Sequence, residues 1–299
     1  MKLGLALSGG GIRGIAHAGV LKALEENNIK VDIIGGTSSG SLVASLYAMG
    51  YSPYYICVLF QKYAKEIVGI NVSTFATGLN SVLLNKKLKI SGLSTGESIE
   101  RIYDELSLQK GIKTIADIKM PIAIPAVDIR EVNEYIFTNK IPEQVRNKKF
   151  YIDNISVGKA VRASSSLPVV FSPCDFKNHK FLDGGTLNNI PAIQVRKLGA
   201  DKVISINFQA DEIDEESNIM DIVMKSLDIM GNKISEENLR DSDYILTVPS
   251  DKAGLLDIEK IEKCYRLGYE TTIKNMDKIY EIVKKWETCK YLKNTDDLL

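Results

Sequence analysis

The residues best suited to chemistry sit in three glycine-bounded turns. Gly36-Thr37-Ser38-Ser39-Gly40 is a G-x-S-x-G. In that pattern a serine at a strand-to-helix corner takes a strained backbone and presents its hydroxyl clear of a sheet. The glycines avoid collision with the neighbouring strand and helix, and the following helix N-terminus favours negative charge near the hydroxyl. The same residues also read as a plain turn with Ser39 or Ser41 as helix cap. The second turn is Gly9-Gly10-Gly11-Ile12-Arg13-Gly14. Consecutive glycines let backbone N–H groups converge on an anion, as in an oxyanion hole, where one donor changes a rate by roughly 10²–10³. Arg13 would orient this loop or hold a phosphate, or be a plain surface or loop-bracing arginine. The third turn is Asp183-Gly184-Gly185. Its carboxylate would take the Ser38 proton directly if held within hydrogen-bonding reach; on its own, Asp-Gly is a turn former.

The chain has two histidines. His17 shares a helical face with Val20, Leu21 and Leu24 and reads as a core residue. His179 lies in the polar stretch Lys177-Asn178-His179-Lys180 and reads as a loop residue. A Ser-Asp-His triad in α/β-hydrolase order needs a histidine after the acid, and none follows Asp183. A Ser38–Asp183 dyad is what the inventory leaves, with Asp128, at a strand end, as a rival base. The glycine loop also fits G-x-G-x-x-G. However, the acid expected at the end of the second strand is missing, because Asp32 enters that strand instead of leaving it. No Gly-Lys-Ser/Thr follows to suggest a phosphate loop.

The elements around these turns alternate. Lys2 to Ser8 predicts a buried strand, Ile15 to Glu26 an amphipathic helix, Val31 to Gly35 a second strand and Ser41 to Met49 a small-residue helix. Pro53 to Val68 predicts an amphipathic helix that forms a lid, a lipid-docking face or plain core. Residues 69 to 117 look irregular. Further strands are predicted at Pro121 to Ile129, Glu134 to Thr138, Lys180 to Leu182, Lys202 to Phe208 and Tyr244 to Val248. Helices are expected at Val157 to Ser166 and Pro191 to Leu198, and a long one at 258–286. Strand–helix alternation implies a mostly parallel sheet covered on both faces. No repeat or linker is visible, so residues 1–299 read as one domain with 50–117 as its most variable layer.

The bulk numbers exclude several classes. Lys+Arg 38 against Asp+Glu 38 leaves no net charge, so nothing favours nucleic acid or an anionic membrane. The four cysteines are scattered without metal or disulfide spacing, and no metal or cofactor is expected. No signal peptide or membrane span is evident, which predicts a cytoplasmic protein that meets lipid from the surface.

Taken together, the three ordered motifs resemble those of the patatin-like phospholipases, especially bacterial single-domain members. Gly9 to Gly14 is similar to the family's oxyanion loop, Gly36 to Gly40 to its nucleophile elbow and Asp183-Gly184-Gly185 to its acid motif. Ala160 to Pro168 is similar to the helix and turn that precede the acid. Order and spacing agree from residue 3 to about 208. The resemblance implies a three-layer α/β/α fold, a Ser–Asp dyad and hydrolysis of fatty-acyl esters of phospholipids or neutral lipids, with peripheral membrane contact. Ser8 departs from the aspartate some members carry there. Two other activities stay open: acyl transfer to an alcohol, and non-catalytic binding of a lipid or partner. Head group, acyl length and oligomeric state are not encoded in any motif.

Overall fold

Alternation along Leu3–Leu7 (β1) divides its side chains between two faces of a sheet. Leu5 and Leu7 enter the larger core and Ala6 the smaller one. The computed structural model describes residues 1–68, 94–209 and 225–283, except 227, 228, 232, 237, 238, 251, 252 and 254–256. β1 is flanked by two parallel strands, β2 (Ile33–Gly36) and β8 (Lys202–Phe208). β9 (Tyr244–Val248) continues the sheet beyond β8, and β3 (Ile122–Asp128) continues it beyond β2, again in parallel. Antiparallel β4 (Asn133–Thr138) and short β5 (Tyr151–Ile152) complete the order β5-β4-β3-β2-β1-β8-β9.

Helices cover both faces, giving three α/β/α layers. On the larger side lie α1 (Ala16–Glu26), α2 (Ser39–Ala48), α3 (Pro53–Val68), α4 (Glu97–Gln109), α5 (Val157–Ser164) and α7 (Ile261–Lys274). On the other side α6 (Ala192–Lys197) sets Ala192 and Val195 against Ala6, Ile33, Ala123 and Val203. Both cores consist of aliphatic side chains removed from water, the dominant favourable contribution to folding.

Two expectations change. Residues 97–109 form a regular helix, α4, in a stretch that looks irregular in sequence. Its buried residues Ile99, Ile102, Tyr103 and Leu106 recur at helical spacing, and Gly96 is its left-handed N-cap (φ 69°). The other part of the expected variable layer, 69–93, lies outside the described residues. The long C-terminal helix is interrupted: a 3₁₀ turn (Ile258–Lys260) precedes α7, the chain turns at Asn275, and helix resumes over 276–283. Its expected end at 284–286 lies outside the described residues. Two further short strands carry no clear sequence signal: β5, and β6 (Cys174–Phe176), which forms a hairpin with β7 (His179–Asp183).

One register decides where the site forms. β3 is longer than its neighbour β2. Ile122 and Ala123 pair with β2, which then turns away. On the ladder beyond, Ala126, Val127 and Asp128 pair antiparallel with β7. β7 therefore occupies the sheet position that β2 vacates, and its last residue, Asp183, arrives beside the corner at which β2 becomes α2.

Candidate active site

That corner is built by backbone sterics. Ser38 has φ 52° and ψ −124°, outside the ordinary regions for a residue with a side chain. A Cβ on Gly36 would run into the Gly40 carbonyl, and one on Gly40 would stand 2.5 Å from the Leu7 oxygen. The bend therefore closes only with glycine at both places. The Ser38 N–H donates to Ser164 Oγ (3.1 Å) and Thr37 Oγ1 to the Asn188 carbonyl (2.8 Å). No side chain caps α2. Ser41 Oγ donates to the Ser38 carbonyl, and Ser39 Oγ is buried without a partner. The plain-cap reading of this turn therefore fails, and the Ser38 hydroxyl is not engaged in capping.

Asp183 is buried at the end of β7. Its N–H donates to the Ser166 carbonyl (3.1 Å), and its Oδ1 accepts the Gly185 N–H (2.8 Å). Oδ2 is buried and makes no formed hydrogen bond. Burial raises the carboxyl to about 6; the approaching Ser38 hydroxyl and the Gly185 N–H act in the opposite direction without cancelling it.

The glycine loop is pinned from behind. Arg13 is buried, donates from Nε to the Gly10 carbonyl (3.1 Å) and lies over the Phe208 ring. Of its expected roles, orienting the loop is the one this geometry serves. In a trans peptide the C=O and the following N–H point in opposite directions, so fixing the Gly10 oxygen also fixes the Gly11 N–H. No described residue accepts from the backbone N–H of Gly10, Gly11 or Ser39. Gly11 takes a left-handed conformation (φ 58°).

These parts meet in one cavity of about 160 Å³, lined by Gly9, Gly10, Gly11, Ser38, Asp183, Gly185, Asn189 and neighbours. A second, almost wholly apolar pocket shares Gly11, Ser38 and Leu167 with it and runs between Ile12, Leu42, Phe60, Ile67 and Phe171. Ile12 thus belongs to the apolar pocket. Gly14 packs against Ser39. Gly36, Thr37, Gly40 and Gly184 lie behind the cavity wall as framework. The inner face of α3, through Phe60, Ala64 and Ile67, lines the apolar pocket, while Tyr54 and Tyr55 face solvent.

Neither histidine lines either cavity. His17 Nε2 lies 2.8 Å from the Ser8 carbonyl, which can only accept, so this nitrogen carries the proton. Burial lowers its pKa to about 4, which keeps it neutral at pH 7. His179 pairs through Nδ1 with Asp128 (2.5 Å). Asp128 is thereby engaged away from Ser38: it also accepts the Arg130 N–H (2.8 Å), and it lines neither cavity. Asp32 accepts the Leu3 N–H at the opposite end of the sheet, far from the glycine loop, which removes the dinucleotide reading.

Sequence reasoning assigned nothing to Ser164, Asn188, Asn189 or Ser235, although all four tie the site together. Asn188 Nδ2 donates to Glu134, Asn189 accepts the Gly9 N–H, and the Asn189 N–H donates to Ser235. The only local signal was two short amides directly after a glycine turn. Met230 and Ile234, half-exposed at the cavity mouth, carried none.

Comparison with known proteins bears on the fold and the family. A model of the patatin-like phospholipase family matches residues 5–196. Among curated relatives, patatin-like phospholipase domain-containing protein 6 of Mus musculus is 30% identical over 302 residues, covering 99% of this chain and 18% of its own length. Lysophospholipase NTE1 of Meyerozyma guilliermondii is 27% identical, covering 89% of this chain and 19% of its own length. The chain thus spans under a fifth of the length of these relatives. Two solved structures share the fold. Human GIVD cytosolic phospholipase A2 has a TM-score of 0.52 at 10% identity, over 95% of this chain and 60% of that one. VipD from Legionella pneumophila has a TM-score of 0.50 at 15% identity, over 93% and 66%. Three-layer architecture, motif order and a family match over most of the chain lead to one assignment: this chain belongs to the patatin-like phospholipase family.

Proposed function

We propose that the chain is a serine lipid acyl hydrolase acting on fatty-acyl esters through an acyl-enzyme, with Ser38 as nucleophile and Asp183 as its base. Asp183 accepts the Ser38 proton as Oγ attacks the ester carbonyl. The N–H groups of Gly10 and Gly11 hold the resulting oxyanion. As the tetrahedral species collapses, Asp183 returns the proton to the leaving alcohol. Water then attacks the acyl-enzyme with Asp183 again as base, releasing the fatty acid and restoring Ser38. A carboxylate raised to about 6 is a stronger base than a free one and is still mostly ionised at pH 7.

The observation that carries this reading is the junction of two cavities at Ser38. One holds the unpartnered carboxylate oxygen and open N–H donors; the other has the apolar lining that suits an acyl chain. Met230 and Ile234 at the mouth, with exposed Ile229 beside them and exposed Val169 next to the cavity-lining Leu167 and Pro168, support a peripheral contact with a lipid surface. Among the described residues no helix is long and apolar enough to cross a membrane. We read residues 1–299 as one catalytic domain. The test is a panel of p-nitrophenyl esters and phospholipids run beside Ser38→Ala. Turnover and fluorophosphonate labelling should both vanish in the variant; labelling that persists at another residue would overturn the assignment.

A further inference from the structure

We infer that Asn189 is the positioning residue of the oxyanion loop: by holding the Gly9 N–H, it aims the next N–H groups of the loop at the reacting carbonyl oxygen. This rests on the Ser38–Asp183 reading above. Gly9 was expected among the anion-binding donors, but its N–H faces the other way. It donates to Asn189 Oδ1 (3.0 Å) and, more weakly, to the Asn189 carbonyl (3.3 Å). A Cβ on Gly9 would stand 2.6 Å from Asn189 Oδ1 and 3.1 Å from Ser38 Cβ, so the loop, the elbow and Asn189 are in mutual contact.

With Gly9 held at one end and the Gly10 carbonyl held by Arg13 at the other, the intervening planar peptides have little freedom. The N–H groups left over are those of Gly10 and Gly11. Donors fixed before reaction need no reorganisation as charge develops, which is the source of their effect on rate.

Asn189 is itself anchored. Its N–H donates to Ser235 Oγ (3.2 Å), which donates to the Gly231 carbonyl (2.7 Å). The preceding Asn188 is held by Glu134 Oε1 (2.6 Å), and its carbonyl accepts Thr37 Oγ1. The two asparagines therefore link the glycine loop, the elbow and β4. Asn189 also lies close to the base. A Cβ on Gly185 would be 3.0 Å from Asp183 Oδ1 and 3.2 Å from Asn189 Oδ1.

That proximity supplies a test that a merely structural role would not meet. Asn189→Ala and Asn189→Asp are compared with the wild type on a soluble p-nitrophenyl ester from pH 5 to 9, with thermal melting as a folding control. Asn189→Ala should lower kcat about tenfold at unchanged KM. That is less than the roughly 10²–10³ of losing a donor outright, because the Asn189 carbonyl still accepts from Gly9. Its acid limb should stay in place. Asn189→Asp keeps the acceptor and should restore most of the plateau kcat. Its added negative charge should move the acid limb to higher pH by raising Asp183. The aspartate variant decides the matter even if alanine unfolds the loop. A folded Asn189→Ala with wild-type kcat, a loss confined to KM, or an Asn189→Asp protein with neither rescue nor a shifted limb would each overturn the inference alone. A wild type inert to both ester and fluorophosphonate would overturn the hydrolase reading and this inference with it.

Discussion

Asp128 and Asp183 lie on adjacent strands of one ladder and both have almost no solvent contact, yet they are opposite in chemistry. Ala126 pairs with Asp183 and, two residues on, Asp128 pairs with Phe181. At Asp128, burial pushes the pKa up, but hydrogen bonds from the Arg130 N–H and His179, joined by the Glu131 N–H, outweigh it and the group ends below the ordinary carboxylate range. At Asp183, burial is deeper and outweighs the opposing effects of the Ser38 hydroxyl and the Gly185 N–H, and the group rises to about 6. Loss of solvent contact alone therefore does not set basicity. What separates a structural carboxylate from a candidate base is how deeply protein surrounds it and how completely its lone pairs are satisfied.

The widest gap between the two should appear on exchanging each for asparagine. Asp183→Asn should lower kcat by roughly 10²–10⁴, the range of a lost general base. Asp128→Asn should keep near-wild-type kcat and lose stability instead, since it disrupts a buried charge-assisted bond worth about 1–3 kcal/mol. Steady-state kinetics beside thermal melts decide this. A catalytic collapse in Asp128→Asn without unfolding would make that residue the base after all.

The pH–rate profile gives the next largest effect. Below about pH 6, kcat/KM should fall about tenfold per unit as Asp183 takes up a proton. A limb lying near pH 4 would mean that the carboxylate is solvated and the cavity wet.

Stability should move in opposite directions at the two sites. Asp183 binds its proton more tightly folded than unfolded, so its contribution is full below about pH 4 and is lost as pH rises to about 6. The loss is about 3 kcal/mol, at 1.36 kcal/mol per unit. Asp183→Asn should therefore be more stable than the wild type at pH 8 and equal to it near pH 4. Asp128, held low, contributes stability above its unfolded pKa that is lost as the medium is acidified through its folded value. Urea midpoints at three pH values measure both.

The smallest effect expected is that of His179→Ala. It should leave turnover intact and lower the melting temperature by a few degrees, about 2–4 °C per kcal/mol in a large domain. A folded but inert His179→Ala would end the carboxylate-only reading.

Local order was legible in the sequence. The Ser38 corner, the glycine loop and the Asp183 turn each depend on backbone conformations that only certain residues allow within a few positions, so their types announce them. The sequence pattern also placed the principal strands, because alternation and helical spacing reflect burial of one face. It also excluded a triad in α/β-hydrolase order, since no histidine follows Asp183; the pairing of His17 with Ser8 and of His179 with Asp128 came from the structure. Tertiary structure alone decided the rest. That β7 runs antiparallel along the free end of β3 is a matter of register between segments more than fifty residues apart, and this brings residue 183 to residue 38. The pairing of Asp128 with His179 and the grip of Asn189 on Gly9 likewise join residues 51 and 180 positions apart. Such contacts leave no periodicity behind, because a single hydrogen bond between distant loops constrains only the two residues that make it.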